Sequence, residues 1–110
     1  MQTQKVITQS IRTKVVSVTF ENRQEIIQNL QLGEIVLMVR EPMNPFDPNA
    51  IKVIRQDGCQ IGYLDRQLAF RLSQRLDQYG LPMDACVSSI IGGYSAYASL
   101  GVIISFEMPE

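Results

Sequence analysis

Between Arg40 and Val53 the chain sets two carboxylates, Glu41 and Asp47, two amides, Asn44 and Asn49, and one aromatic ring, Phe46, among three of its five prolines. Each proline fixes its own φ and pushes the residue before it into extended backbone, so residues 43–49 are expected to form a rigid, non-helical excursion. Asn44, Asp47 and Asn49 can close such a loop by accepting hydrogen bonds from nearby backbone amides. Phe46 then stands at its centre as an aromatic face beside carboxylate and amide groups. That set is suited to recognising a ligand.

It is poorly suited to transforming one. The sequence has no histidine, so a nucleophile would need Lys or a carboxylate as its base, and no Ser or Cys sits in a G-x-S-x-G context. Glu41 and Asp47 could share a metal as in a nuclease, but acids around Asn-Pro turns more often cap those turns. No Walker A lysine loop or Gly-rich dinucleotide fingerprint occurs. Cys59 and Cys86 lie far apart outside any CxxC spacing and are expected to be buried thiols acting as small hydrophobes. The expectation is therefore a binding module and not an enzyme, with neither cofactor nor metal.

Binding single-stranded nucleic acid needs only aromatic platforms for the bases and a few cations for the phosphates, held on a small barrel. Phe20, Phe46, Tyr63 and Tyr97 are the candidate platforms, and Arg23, Lys52 and Arg66 the candidate phosphate partners. The net charge of −1 argues against a strong non-specific grip on nucleic acid. Its distribution is uneven: residues 1–75 hold all ten Lys and Arg against seven acids, and residues 76–110 hold four acids and no base. One end of the chain can thus supply a positive patch. The rival reading is a protein-interaction module that uses the same proline loop on a partner protein.

The elements that would position these residues follow from pattern. Residues 1–10 are polar and read as a tail or an edge strand, with the folded domain over 11–110. Val15, Val16, Val18 and Thr19 mark a long strand from Ile11 to Phe20. Asn22 followed by Glu25 has capping-box spacing, and Ile26, Ile27 and Leu30 predict a helix over 23–31 that ends at Gly33. Glu34 to Arg40 reads as a central strand. Ala50–Arg55 and Cys59–Tyr63 flank an Asp57-Gly58 hairpin signal and should be antiparallel. Asp65 caps a helix whose stripe is Leu68, Ala69, Leu72, Leu76 and Tyr79, closed by Gly80 and Pro82. Ala85–Gly92 and Leu100–Met108 are the last two strands, joined by a loop containing Tyr97. Short strands with hairpin links and two helices predict a mainly β (α+β) fold, a small antiparallel OB-like β-barrel. A single domain is expected at 110 residues. With no apolar run near the roughly 18 residues of a membrane span and no secretory signal, the expected location is cytoplasmic.

Several separated pieces also occur together in one order: Val15 to Phe20, Gly33-Glu34, Glu41 to Val53, Gln60-Ile61-Gly62-Tyr63-Leu64 and Leu68-Ala69. Together they resemble the HIRAN family, over roughly residues 13–107, and an ordered set is more specific than any one motif. HIRAN domains occur attached to fork-remodelling helicases of the SWI/SNF type and as stand-alone bacterial proteins, and this chain resembles a stand-alone bacterial member. The resemblance implies an OB-like barrel that binds the free 3′ end of single-stranded DNA in repair or replication, alongside a helicase or nuclease partner. It implies that Thr19 and Phe20, at a strand end, hold a phosphate and stack a base. Asn44 and Phe46 would grip the terminal nucleotide, Asp47 would accept a hydrogen bond from its 3′-hydroxyl, and Tyr63 and Arg66 would lie along the neighbouring backbone. Tyr97 is a looser match in the later loop. Three positions depart from the family pattern: Thr19 stands where DNA-binding members have a basic residue, Tyr63 where others place a more polar ring, and Ser17 where Gly is frequent. The last is expected to bear on packing more than on the site.

Overall fold

The computed structural model describes residues 9–80, 82–93 and 98–108. In chain order it has β1 (Gln9–Lys14), α1 (Arg23–Gln28), β2 (Ile35–Arg40), β3 (Ile51–Arg55), β4 (Gln60–Tyr63), α2 (Arg66–Tyr79), β5 (Met83–Gly92) and β6 (Leu100–Met108). Every strand pairing among the described residues is antiparallel, and the sheet order is β1-β6-β5-β2-β3-β4. The two edge strands do not stay apart. Just past β1, the Val16 amide donates to the Tyr63 carbonyl (2.8 Å) and the Tyr63 amide donates back to Val16 (3.0 Å). The sheet is therefore a curled half-barrel whose open side is pinned at one seam, the mainly antiparallel OB-like architecture with two helices that the pattern predicts.

Alternation fills the interior. Val36 and Met38 on β2, Ile51 and Val53 on β3, Ile61 on β4, Ala85 and Val87 on β5, and Val102, Ile104 and Phe106 on β6 point into one core. β2 is interior in the sheet, as its apolar run predicts, yet it buries only one face and leaves Ile35 exposed. α1 closes one end with Ile27, followed by Leu30, and packs near β4 and β6. α2 presents Leu68, Ala69, Leu72 and Leu76 to the core, with Asp65 capping through a bond from the Leu68 amide (3.0 Å) and Gly80 closing in left-handed backbone at φ +69°.

Several local expectations fail for identifiable reasons. The long strand over 11–20 breaks after β1, because Ser17 turns into left-handed backbone at φ +60° and residues 18–22 form turns. The helix over 23–31 is shorter. Asn22 makes no side-chain cap, since its backbone at φ −100° and ψ 24° does not aim the amide at the first turn. Tyr79, the last residue of α2, falls off the buried stripe and is 53% exposed. In the 56–58 turn only Gly58 takes a positive φ, while Asp57 accepts from the Cys59 amide (2.9 Å). That turn leaves Cys59 exposed and Cys86 is half-buried, so the buried-thiol reading does not hold. Among the described residues no helix is long and apolar enough to cross a membrane, and no group of three or more His, Cys, Asp and Glu could hold a metal ion.

Candidate nucleic-acid interface

The proline loop is tied at its base. The Glu41 amide donates to the Ala50 carbonyl (2.9 Å), and Arg40, paired with Asp77 on α2 (2.8 Å), reaches the same carbonyl through Nη1 (3.0 Å). Within the loop Asn44 Oδ1 accepts from the Phe46 and Asp47 amides (2.8 and 3.0 Å), and Asp47 Oδ1 accepts from Asn49 (2.9 Å). Two Asx turns in succession therefore fix the backbone on either side of Phe46. The ring itself is 87% exposed.

A single carboxylate joins this loop to the seam. Glu41 Oε1 accepts from the Tyr63 hydroxyl (2.6 Å) and from Asn44 Nδ2. Burial pushes the Glu41 carboxyl up, but the bonds from Tyr63 and Asn44 and the charges of Lys52 and Arg23 outweigh it, leaving the group below its ordinary range. Tyr63, burdened by burial and by donating to Glu41, is raised and stays a phenol. Below them Arg23 is only 7% exposed, with its guanidinium 5.4 Å from the Tyr63 ring centroid and 5.9 Å from that of Phe20. Its Nη1 donates to the Ser17 carbonyl (2.7 Å), and its buried Nε has no hydrogen-bond partner.

These groups surround a pocket of about 510 Å³ between the loop, the seam and the start of α2. Of the residues expected in the site, Phe20, Asn44, Phe46, Asp47, Tyr63 and Arg66 all line it. Arg66 projects at the mouth with Nε 3.7 Å from Asp47 Oδ2. Thr19 is exposed in the turn before Phe20 and is not among the lining residues, since β1 has ended five residues earlier. Tyr97 lies outside the described residues.

The pocket also contains groups that pattern alone did not rank. Ser17 lines it and holds Arg23 through its backbone carbonyl, a contact that depends on the chain's turn at this position and not on the side chain. Glu21, also at the wall, has a positive φ of 55°, a second strained non-glycine position beside the same cavity. Arg23 was legible as a cation but not as a buried one, and Glu41 was visible as an acid but not as the hub of the loop. The frequent Gly at the position of Ser17 was the one available signal of left-handed backbone there. Chemically the pocket offers two exposed rings, one buried and one exposed cation, and the Asp47 carboxylate, shared between the Asn49 amide and Arg66, at one rim.

Comparison with known proteins gives a consistent picture. The sequence model for the HIRAN domain matches residues 8–104. The chain is 33% identical over 82 residues, 74% of its length, to a Fanconi-associated nuclease 1 homolog of Arabidopsis thaliana, and those residues make up 9% of that protein. It is 50% identical over 45 residues, 41% of its length, to 4% of the helicase-like transcription factor of Oryctolagus cuniculus. The chain thus spans less than a tenth of the curated relatives it matches. In structure it is similar to the crystal structure of the HIRAN domain of human HLTF, with a TM-score of 0.65 and 29% identity, over 92% of this chain and 77% of that one.

Proposed function

The chain belongs to the HIRAN domain family, and on that premise we propose that it is a non-enzymatic module that binds single-stranded DNA at a free 3′ end. The observation that supports this most is the convergence of Phe20 and Phe46, both largely exposed, on one pocket with Arg23, Arg66 and Asp47. Exposed rings stack on bases without regard to sequence, and cations hold the backbone between them. Asp47 gives the site its preference for an end. A carboxylate accepts a hydrogen bond from a terminal hydroxyl and repels a terminal phosphate; Oδ1 caps Asn49, and Oδ2 faces the exposed Arg66 at 3.7 Å, a contact that a terminal hydroxyl can share. Phe46 and Asn44 hold the terminal nucleotide, Tyr63 and Arg66 lie along the adjacent backbone, and Thr19 stands outside this central set. The role is one of targeting in DNA repair or replication, beside a helicase or nuclease partner, in the cytoplasm.

Fluorescence anisotropy with single strands ending in 3′-hydroxyl, 3′-phosphate or a blocked end, and with blunt duplex, tests the reading. The hydroxyl-ended strand binds best. Equal affinity for hydroxyl and phosphate ends would remove end recognition, and equal affinity for duplex would remove the single-strand preference. One observation favours a protein ligand instead: Met43, 90% exposed, stands in the same loop as Phe46 and gives it an apolar tip. Failure of all oligonucleotides at low salt would leave that reading in place.

A further inference from the structure

Outside the pocket, the face of β1 that looks away from the core shows a regular order. Ser10, Arg12, Lys14 and Val16 alternate with more buried neighbours and are all exposed. Val16 is itself part of the pocket wall, so this row of side chains ends at the pocket. We propose that Arg12 and Lys14 form a backbone track along which a bound single strand leaves the pocket, each contacting one phosphate. The proposal rests on the nucleic-acid reading of the pocket and adds both a footprint and a direction. With the 3′ end seated beside Asp47, the strand passes over Val16 toward Arg12, so that its 5′→3′ direction is parallel to β1.

Three features support the placement. First, residues two apart on a strand are separated by about 6.7 Å, on the order of the spacing between successive phosphates in an extended single strand. Second, Lys14 leans toward the pocket. It pairs with Ile103 on β6, the Val15 amide donates to Val102 (2.9 Å), and continuing that register by one residue sets Gly101 opposite Val16. A Cβ built on Gly101 would come within 3.2 Å of Lys14 Cε. The missing side chain there is the space in which the lysine stem lies, one row closer to the pocket than its own Cα. Third, Arg12 is steadied without being used up. Its Nη2 donates to Ser89 Oγ across β6 (3.0 Å), which leaves most of its five N–H donors for an anion. At the next row outward, Ser10 pairs with Glu107 and donates to its carboxylate (2.6 Å). An acid at that point ends the track after two phosphates.

The test compares 5′-labelled thymidine trimers and hexamers, all with 3′-hydroxyls, binding to the wild-type chain and to R12Q/K14Q. The trimer fills the pocket, and the hexamer reaches the track. For wild type the hexamer's log–log salt dependence is steeper by about 1.4, two contacts at about 0.7 each, equivalent to about sevenfold more affinity gained between about 200 and 50 mM salt. R12Q/K14Q loses this increment and keeps its trimer affinity. Both positions are exposed, and an unchanged melting curve confirms that the variant is folded. If the hexamer gains nothing over the trimer, or if the variant keeps the gain, the track is wrong while the pocket stands. If the trimer itself fails to bind wild type, the pocket reading falls first and the track with it.

Discussion

On the seam side of the pocket, Tyr63 and Asn44 converge on the Glu41 carboxylate above a guanidinium that is almost wholly buried. On the lip, Phe46 lines the pocket and Met43 precedes it by three residues in the same loop; both stand almost as exposed as free side chains, and the backbone at Phe46 is held by Asn44. Apart from the Arg23 Nε, the wall is made of polar side chains that satisfy one another, and the lip is made of side chains that satisfy nothing. A group with no internal partner costs the fold little to keep and is available to a ligand. A buried polar group with several partners costs much to disturb. Shape is therefore held on one side and contact is offered on the other.

Deleting the hub should break the wall most severely. Glu41→Ala leaves a half-buried phenol and a half-buried amide without their acceptor, each at up to about 1–3 kcal/mol. Thermal or urea unfolding should show a loss of a few kcal/mol, together with loss of oligonucleotide binding as Asn44 releases the loop. Stability close to wild type would mean that water replaces the carboxylate and that the wall is not preorganised. Phe46→Ala acts on the other side only. Binding of single strands should weaken by about 1–3 kcal/mol, the usual loss of a stacking platform, with the melting temperature almost unchanged. A variant that unfolds would put Phe46 in the wall and erase the contrast.

A smaller effect concerns what the lip reads. Asp47→Asn should narrow the difference between 3′-hydroxyl and 3′-phosphate strands, measured by competition, while retaining a side-chain oxygen to cap Asn49. An unaltered difference would move end recognition to another residue. The smallest effect is in pH. Glu34, through its side-chain bond from Arg55, and Glu41, through the bonds that outweigh its burial, both lie below the ordinary value of 4.5. Groups depressed on folding contribute stability that is complete above that value and declines as pH falls through their folded values. Chemical denaturation at stepped pH should show the decline beginning below about 4.5. Glu41→Gln should flatten its part of the curve, and a curve identical to wild type would mean that Glu41 is not depressed on folding.

The contrast also explains what could be read from the sequence. The lip is local: prolines, Asx residues and a ring within eight positions announce themselves, as do the Asp65 cap, the Gly80 stop and the alternation that fills the core. The wall is assembled across long separations. Glu41 and Tyr63 lie 22 residues apart and Asn44 and Tyr63 19 apart, and their bonds depend on how the sheet curls. Nothing in the spacing of Arg23 says that it lies under Tyr63, because that contact exists only once α1 has packed near β4. The break in the first strand was hidden for another reason. Val15, Val16, Val18 and Thr19 all favour extended backbone, and tertiary closure at Val16 overrides that preference by turning the chain at Ser17.

The seam between Val16 and Tyr63 has a kinetic consequence. Among the described residues two backbone hydrogen bonds hold it, at the edges of the sheet, whereas the pairing between β5 and β6 extends from Cys86 to Gly92 with one register shift between Val87 and Ser89. Segments with few such bonds open locally at a small fraction of the global unfolding free energy. The amides of Val16 and Tyr63 should therefore exchange with deuterium well before those of the sheet interior. Because both residues are also pocket wall, each such opening dismantles the recognition surface while the barrel stays folded. A ligand bridging the pocket would hold the seam shut, so its residence would be written directly into the protection of two backbone protons.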